Sequence, residues 1–454
     1  MNFKLNLSVI VCKLLIIAGR IMGKAGSSLP GQIAMKICPD ILKLISPKIH
    51  KGIICTLGTN GKTTTNNMIN TIIESTGAKT VCNKVGANML YGVVTAFLQK
   101  TNVFGKLDAD WAVIEIDEAS AKIVFDHISP DYIVITNLFR DQLDRYGDTE
   151  LTAKQIKTAI DKAPDATLIL NADDPVSNYF SFICENKVIR YGINEKSTND
   201  ETETNEGKFC LKCGSELSYE YRHYSQLGKY SCPECDFLRN EPDYFATEVN
   251  SDGQVSFKLN DKFEVHSNTY GFYNIYNMLA SISVCETIGL YIPNYTNIFR
   301  EYETQVGRME EFFFTKPVIL NLAKNPAGFN QAISAIENDK RKKAVIIGVN
   351  DYESDGTDIS WLYDVEFEKL KNLCGYGVSG RRKYDVALRL YYADVCDEPK
   401  VFEDSIDGAM EMLRTEAEVV YVVVNYTLIF DAHKNLNKKL KQYRKEHGTQ
   451  DKIY

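Results

Sequence analysis

Residues 58–65, GTNGKTTT, combine small side chains with one lysine and several hydroxyls. The apolar run GIICTL precedes them, and TTNNMINTIIES continues with apolar residues at helical spacing. In such a strand–loop–helix, backbone N–H groups close around phosphates at the positive end of the helix. Lys62 could then reach the outer phosphates of a nucleotide, and Thr63 could offer its hydroxyl to Mg²⁺. Because Thr56 stands where the strict G-x-x-x-x-G-K-T loop has glycine, the sequence predicts a variant nucleotide loop, made of Gly58, Thr59, Asn60, Gly61, Lys62, Thr63 and Thr64.

Four cysteines in two pairs form a second chemical pattern. CLKC (210–213) and CPEC (232–235) are separated by 18 residues, close to the spacing of a zinc ribbon. The surrounding residues, 206–240, have too little apolar content to fold without a metal. They hold five basic and five acidic side chains, a balance that favours a structural role over nucleic-acid binding. We therefore predict a polar linker over 194–207 and an inserted ribbon over 206–240, with the zinc ligands Cys210, Cys213, Cys232 and Cys235.

The third pattern is an acidic stretch, GVNDYESDGTDISW, at residues 348–361. It follows the apolar run KAVIIGV, so it is predicted to lie at the C-terminal end of a strand, where α/β proteins expose functional loops. Three interpretations are open from these residues: a solvated loop, which is the default, a metal-binding loop, or a carboxylate offered to another protein. The acids are Asp351, Glu353, Asp355 and Asp358.

These patterns lie among elements that are typical of α/β domains. The runs GIICTL, WAVIEI, YIVIT and TLILN alternate with helical patterns and are predicted to be buried strands. A second α/β series starts near Pro317, with VILNLA, KAVIIGVN and EVVYVVVNYT. The sequence thus predicts an N-terminal helical segment over 1–50, a central nucleotide-binding domain over 51–316, and a C-terminal α/β domain over 317–454.

The N-terminal run LSVIVCKLLIIAGRIM is apolar but interrupted by Lys13 and Arg20. It is shorter than the ~20 uninterrupted apolar residues of a spanning helix. We therefore expect an amphipathic helix that packs on the protein or lies on a membrane surface. The net charge of −8 argues against a general nucleic-acid partner. Twelve cysteines without a convincing signal peptide predict a reducing, cytoplasmic compartment.

Seven segments, in order along the chain, resemble those of the Mur ligases and folylpolyglutamate synthases. They are GTNGKTTT, VIEIDEAS (113–120), TNLFRDQLDRYGD (136–148), LNADDP (170–175), YNIYNMLAS (273–281), GRMEEF (307–312) and LAKNPAGFN (322–330). The resemblance implies that Glu115 binds Mg²⁺ together with Thr63. It also implies that ATP is contacted by Asn274, Asn277 and Arg308.

Three departures from the family pattern bear on the site. Gln142 replaces a metal-binding histidine, which puts a second Mg²⁺ in question. Asn321 and Lys324 replace the aspartate and histidine of the last-domain motif, so substrate contacts there must differ. The family's carbamylated lysine has no clear register, and Lys154 or Lys157 are its candidates.

The same resemblance implies a fold and a reaction. The fold is a Mur ligase-type central P-loop ATPase domain with the inserted zinc ribbon, followed by a Rossmann-like C-terminal α/β domain. The reaction is that of an ATP-dependent carbon–nitrogen ligase: the γ-phosphoryl group passes to a carboxylate, and a nitrogen nucleophile attacks the acyl phosphate. Lys62 and Mg²⁺ would stabilise the charge on the transferring group.

The short segment before the nucleotide loop limits the possible classes of substrate. A Mur ligase that acts on a UDP-linked precursor carries a UDP-binding domain of roughly 100 residues there. Here the loop begins at residue 58, so we expect a lipid-linked or other non-UDP substrate. The short N-terminus, the ribbon and the divergent last domain resemble the MurT family, the synthetase subunits of lipid II isoglutaminyl synthase. This implies amidation of the α-carboxyl of D-glutamate in the lipid II stem peptide, with a GatD-type class I glutaminase as the partner in a heterodimer.

Two alternative functions stay open. A folylpolyglutamate synthase, or another amino-acid-adding ligase, would have no use for the ribbon. A non-catalytic ATP-binding scaffold conflicts with the intact set of Lys62, Thr63 and Glu115.

The sequence carries no recognisable glutaminase nucleophile. Of the eight cysteines outside the ribbon, none has the G-x-C-x-G surroundings of a class I glutaminase, and Cys374 in NLCGYG comes nearest. The resemblance implies that the partner lacks the acid of its catalytic triad and that an aspartate of the synthetase completes it. We assign this catalytic role to Asp355, because Gly356 would let the backbone turn and lift the preceding side chain outward. Asp351 and Asp358 are fallback candidates, and Trp361 is a candidate interface anchor.

Overall fold

The computed structural model describes residues 3–21, 28–83, 87–139, 149–196, 207–251, 253–290, 292–302 and 306–447. Within these ranges the chain forms two compact units, one up to Tyr302 and one from Val306. Each unit is built around its own sheet. Most of the predicted linker over 194–207, and Gln142, lie outside the described residues.

Among the described residues, three α-helices precede the first strand: α1 (Phe3–Ile21), α2 (Leu29–Ile37) and α3 (Ile41–Ile45). The amphipathic character predicted for α1 is confirmed, since Leu5, Val9 and Cys12 are buried in the core of the first unit. The opposite face of α1 exposes a stripe of apolar side chains: Phe3, Leu7, Ile10, Leu14, Ile17 and Ile21. Across the described ranges, no helix combines the length and the apolar character that crossing a bilayer requires.

A nine-stranded sheet organises the first unit. Its strands are β1 (Gly52–Leu57), β2 (Thr80–Cys82), β3 (Trp111–Glu115), β4 (Tyr132–Ile135), β5 (Thr167–Asn171), β6 (Val188–Ile193), β9 (Tyr244–Asn250), β10 (Gln254–Leu259) and β11 (Phe263–Tyr270). The strand order is β11-β10-β9-β6-β5-β4-β1-β3-β2. Pairing is parallel from β2 to β9, and β10 and β11 are antiparallel. All six residues of β1 are buried, because helices cover both faces of a parallel sheet.

Seven described helices accompany this sheet. They are α4 (Lys62–Ser75), α5 (Leu90–Lys100), α6 (Glu118–Val124), α7 (Thr149–Ile160), α8 (Pro175–Ile183), α9 (Tyr273–Thr287) and α10 (Tyr295–Glu301). The four strands predicted for the central domain are confirmed as β1, β3, β4 and β5.

The ribbon is inserted between β6 and β9. It contains an antiparallel hairpin, formed by β7 (Ser218–Tyr224) and β8 (Leu227–Ser231). Its apolar core is small, and Phe237 is fully buried at its centre beside Leu217 and Tyr230. A core of this size is too small to stabilise a separate domain without a further constraint.

The second unit contains a six-stranded sheet in the order β12-β13-β17-β14-β15-β16. Its strands are β12 (Glu310–Phe313), β13 (Pro317–Leu322), β14 (Lys343–Gly348), β15 (Gly375–Ser379), β16 (Lys400–Val401) and β17 (Val419–Val424). The accompanying helices are α11 (Pro326–Asn338), α12 (Lys383–Tyr392), α13 (Ser405–Met412) and α14 (Tyr426–His447). Residues 306–316 were predicted to belong to the central domain. In the structure β12 pairs antiparallel with β13, so these residues pack within the second unit.

Candidate functional site

The predicted nucleotide loop begins directly after β1, and its last residues, 62–64, form the first turn of α4. Gly58 and Gly61 have φ angles of 123° and 80°, in the region that favours glycine. A Cβ atom on Gly58 would lie 2.2 Å from Thr136 Oγ1, and one on Gly61 would lie 2.2 Å from Asn277 Oδ1. Both positions therefore require glycine, for conformation and for space.

The segment that follows β4 holds the loop from one side. Thr59 N donates to Asn137 O (2.7 Å), and Thr59 Oγ1 donates to Phe139 O (3.1 Å). Asn60 N donates to Asn137 Oδ1 (2.9 Å), and Thr136 Oγ1 donates to Asn60 O (2.8 Å). The shape of the nucleotide loop thus depends on residues far from it in the sequence.

Lys62 forms a buried ion pair that the sequence analysis missed. Its Nζ lies 2.8 Å from Glu118 Oε1, and it also donates to Gly58 O. Burial by itself lowers the pKa of Lys62, but the carboxylates of Glu118 and Glu115 raise that pKa above its ordinary value. The ammonium therefore stays charged inside the loop. Glu118 could have been found from its position, because it follows Glu115 by three residues and begins α6.

Glu115 has the environment expected of a metal ligand. It ends β3 and is 2% exposed. Its Oε1 accepts from Asn88 Nδ2 (2.9 Å), whereas Oε2 is buried and has no hydrogen-bond partner among the described residues. A buried carboxylate oxygen without a donor is costly unless a cation compensates it. Because Mg²⁺ prefers oxygen ligands, Glu115 and the partly buried hydroxyl of Thr63 fit that ion.

Asn274 and Asn277, which the resemblance predicts to contact ATP, lie in the first turns of α9. Asn277 Nδ2 donates to Asn274 Oδ1 (2.9 Å), and Thr65 Oγ1 donates to Asn277 Oδ1 (3.3 Å). The structure thus brings Asn277 together with the nucleotide loop. Arg308 belongs to the second unit.

The two candidates for a carbamylated lysine have carboxylate partners near helix α7. Lys154 Nζ lies 2.7 Å from Glu150 Oε1, and Lys157 Nζ lies 2.5 Å from Asp161 Oδ1. Carbamylation of either lysine stays a prediction.

The four ribbon cysteines converge, as their spacing predicts. Their Sγ atoms all lie within 4.8 Å of one another. The Cys210–Cys235 and Cys213–Cys232 pairs have Sγ–Sγ distances of 3.6 and 3.4 Å. Tetrahedral Zn²⁺ with Zn–S bonds of about 2.3 Å would hold its sulfurs roughly 3.8 Å apart. The cluster therefore has the donor set and the size of a zinc site.

Comparison with known proteins assigns the family. The Mur ligase middle domain profile matches residues 57–285, and the MurT ligase C-terminal profile matches residues 322–429. The chain is 35% identical over 425 residues to the lipid II isoglutaminyl synthase (glutamine-hydrolyzing) subunit MurT of Staphylococcus aureus (strain COL). That match covers 93% of this chain and 95% of the relative. The subunit of the same name from Streptococcus pneumoniae (strain ATCC BAA-255 / R6) is 32% identical, over 89% of this chain and 91% of the relative. The chain belongs to the MurT family.

A solved structure shares the fold of this MurT chain. It is a pseudomurein peptide ligase type C from Methanothermus fervidus, with a TM-score of 0.67 and 21% sequence identity. The similarity covers 86% of the MurT chain and 79% of that ligase. The predicted fold class, a Mur ligase-type domain with an inserted four-cysteine ribbon and a C-terminal α/β domain, is confirmed.

The MurT C-terminal match includes the acidic stretch, where one sequence-based expectation is wrong. Asp355 does not point outward: it is 3% exposed. Its Oδ1 accepts from Thr427 N (2.9 Å), and its Oδ2 accepts from Thr427 Oγ1 (2.5 Å). Gly356 does adopt a left-handed conformation, with φ of 87°. The carboxylate nevertheless turns inward, because the first N–H groups of α14 have no partner within the helix and attract an acceptor.

The other candidates of this stretch also have partners within the MurT chain. Asp351 lies 2.7 Å from Arg382 Nη2 and 3.3 Å from Arg381 Nε. Asp358 Oδ1 accepts from Ser360 N (2.8 Å). Trp361 is buried in the core of the second unit, so its ring does not form a surface anchor.

Proposed function

We propose that this chain is the synthetase subunit of a glutamine-dependent amidating ligase. Its reaction would convert the α-carboxyl of D-glutamate in the lipid II stem peptide into the amide, giving D-isoglutamine in peptidoglycan synthesis. The observation that carries the proposal is the similarity, along nearly the whole chain, to two MurT subunits of lipid II isoglutaminyl synthase. The nucleotide loop, with Lys62 and Glu115 in place, supports it.

The proposed reaction has two steps. First, a carboxylate oxygen of D-glutamate attacks the γ-phosphorus of ATP, ADP leaves, and an acyl phosphate forms. Ammonia then attacks the acyl carbon, and inorganic phosphate leaves. Residues 58–64 would hold the phosphates, with Lys62 stabilising the charge that moves onto the bridging oxygen. Mg²⁺, held by Thr63 and Glu115, would neutralise phosphate charge.

The remaining ATP contacts are proposed from the family motifs. Asn274 and Asn277 would face the adenosine, since Asn277 already contacts the nucleotide loop through Thr65. Arg308 would also contact ATP, as the family motif implies.

Ammonia is proposed to come from a GatD-type class I glutaminase that forms a heterodimer with this chain. Three cysteines outside the ribbon are unsuited to act as a glutaminase nucleophile of this chain. Burial raises the pKa of Cys55 and of Cys285 above the ordinary value, and it raises the pKa of Cys184 to about 11. Thiols with raised pKa values are poor nucleophiles at neutral pH.

The decisive experiment combines the purified chain with a GatD-type glutaminase, lipid II, ATP and glutamine. We expect ATP-dependent amidation, seen by mass spectrometry of the stem peptide, and ammonium should replace glutamine when the glutaminase is omitted. Phosphate release with a folate and free glutamate, but not with lipid II, would instead identify a folylpolyglutamate synthase.

We propose that the ribbon holds Zn²⁺, and we expect about one ion per chain from its four thiolates. Cys213→Ser should lower both the zinc content and the midpoint of thermal unfolding, because the small ribbon core depends on the metal. Cys396→Ser, in the second unit, is the matched control and should change neither quantity. A protein that is fully stable without metal would contradict the proposal.

We propose that α1 lies on the inner surface of the cell membrane, close to the lipid-linked substrate. The six side chains of its exposed stripe are 38–81% exposed and extend along about 27 Å of the helix. An amphipathic helix with such a face binds at the lipid interface.

The test of this membrane contact is co-sedimentation with vesicles that contain anionic phospholipid. The chain should sediment with them, and Leu14→Ser/Ile17→Ser should reduce the bound fraction severalfold by removing apolar area. Leu388→Ser/Tyr392→Ser removes exposed apolar side chains from α12 and is the control, with no change expected. Equal sedimentation of the wild-type chain and the α1 variant would refute the contact.

A further inference from the structure

The tip of the ribbon hairpin is buried in the first unit, against the segment that holds the nucleotide loop. Gln226, between β7 and β8, is 1% exposed. Its Nε2 donates to Leu138 O (2.9 Å) and to Asp174 Oδ1 (2.5 Å). Asp174 Oδ2 in turn accepts from Leu138 N (2.8 Å). Both backbone polar groups of Leu138 are thus hydrogen-bonded: the carbonyl accepts from Gln226, and the N–H donates to Asp174, which Gln226 also contacts.

Leu138 lies between Asn137 and Phe139, two of the residues that bond to the nucleotide loop. Asn137 accepts from the backbone N–H groups of Thr59 and Asn60, and Phe139 accepts from Thr59 Oγ1. A shift of the peptide at Leu138 would therefore move the acceptors that shape the loop.

Aromatic rings beside the hairpin tip also contact the segment that holds the nucleotide loop. Tyr224, the last residue of β7, has its ring 6.1 Å from that of Phe139 and 6.1 Å from that of Tyr276 on α9. The hairpin end thus packs between the loop-holding segment and the helix that carries Asn274 and Asn277.

A second connection runs from the ribbon to α9. Arg239 Nε donates to Asp173 Oδ1 (2.6 Å), and the Tyr276 hydroxyl donates to Asp173 Oδ2 (2.7 Å). All three side chains are buried, so these charge-assisted bonds are strong and directional. Tyr276 directly precedes Asn277, the residue whose Oδ1 lies against Gly61.

We propose that the four-cysteine ribbon positions the nucleotide site, with Gln226 and Tyr276 as positioning residues that do not touch the nucleotide. Cys232 directly follows β8, so the cysteine cluster fixes one end of the hairpin whose other end carries Gln226. The ribbon thereby fixes the position of the nucleotide loop through Leu138, and it fixes the position of α9 through Asp173. This inference rests on the proposed function, since it takes residues 58–64 as the ATP loop.

The test measures the affinity for ADP with Mg²⁺ by isothermal titration calorimetry, on the full chain with its zinc content determined. Gln226→Leu and Tyr276→Phe should each raise the Kd about fivefold or more, the loss expected from one buried hydrogen bond. Both variants should keep the zinc content of the wild-type chain. Glu220→Gln is the matched control, because it changes an exposed carboxylate on the same hairpin and should leave the Kd unchanged.

The KM values for the two substrates distinguish a positioning role of Gln226 and Tyr276 from a role in stability alone. In the amidation assay both variants should raise the KM for ATP and leave the KM for lipid II unchanged. Folded variants with a lower unfolding temperature but wild-type Kd and KM for ATP would overturn the inference. If Gln226→Leu does not fold, Tyr276→Phe decides, and a wild-type Kd in that variant overturns the inference. Failure of the wild-type chain to bind ADP would refute the proposed ATP loop itself, before any variant is compared.

Discussion

Lys62→Ala should lower ATP-dependent amidation by about 10³-fold, the upper end of the range for removing one preorganised donor that stabilises developing charge. Lys62 provides the ammonium group of the nucleotide loop, and Glu118 holds it inside that loop at 2.8 Å. Turnover is to be measured with saturating ATP and ammonium, which makes the result independent of the glutaminase. A folded Lys62→Ala chain with wild-type turnover would refute the assignment of the loop.

The ion pair complicates this substitution and also supplies a control for it. Alanine at position 62 leaves the Glu118 carboxylate buried without its cation, which costs about 3–5 kcal/mol of stability. Lys62→Ala/Glu118→Gln removes that stranded charge, so it should regain stability in thermal unfolding while its turnover stays low. Lys79→Ala removes an exposed ammonium that pairs with Asp108 and should leave both quantities unchanged.

Asp355→Asn should lower glutamine-dependent amidation by about 10²-fold or more while ammonium still supports the reaction. We propose that this carboxylate turns away from Thr427 in the complex and completes the triad of the partner glutaminase, where an acid must orient the catalytic histidine. Asparagine keeps an oxygen for Thr427 N but loses the charge that stabilises an imidazolium. Both nitrogen sources are to be compared in the same complex, with formation of the complex checked by gel filtration.

The buried position of Asp355 offers a competing role, as the cap of α14. Thr427→Val is the matched control, since it removes the hydroxyl that donates to Asp355 Oδ2 and leaves the carboxylate. If Asp355 were only a cap, both variants would lower the unfolding temperature, and turnover with glutamine and with ammonium would fall alike. That result would refute the triad proposal.

The features that depend on local chemistry could be predicted from the sequence. Continuous apolar runs indicated β1, β3, β4 and β5, because parallel strands are buried on both faces. The composition of residues 58–65 located the nucleotide loop, since the loop needs glycine at positions with positive φ. The cysteine spacing identified the ribbon, because each pair of thiolates lies within one short turn.

The hydrogen-bond partner of each buried polar side chain could not be predicted, because it depends on the three-dimensional packing. Gln226 and Leu138 are 88 residues apart, and Lys62 and Glu118 are 56 apart. Asp355 was expected to point outward, but it is held by Thr427, 72 residues further along the chain. A buried polar group must find a hydrogen-bond partner, and which donor or acceptor lies within reach is fixed by how distant elements pack. Residue type and spacing along the chain limit the groups that a side chain can bind. The packing of distant elements then determines which of those groups it binds.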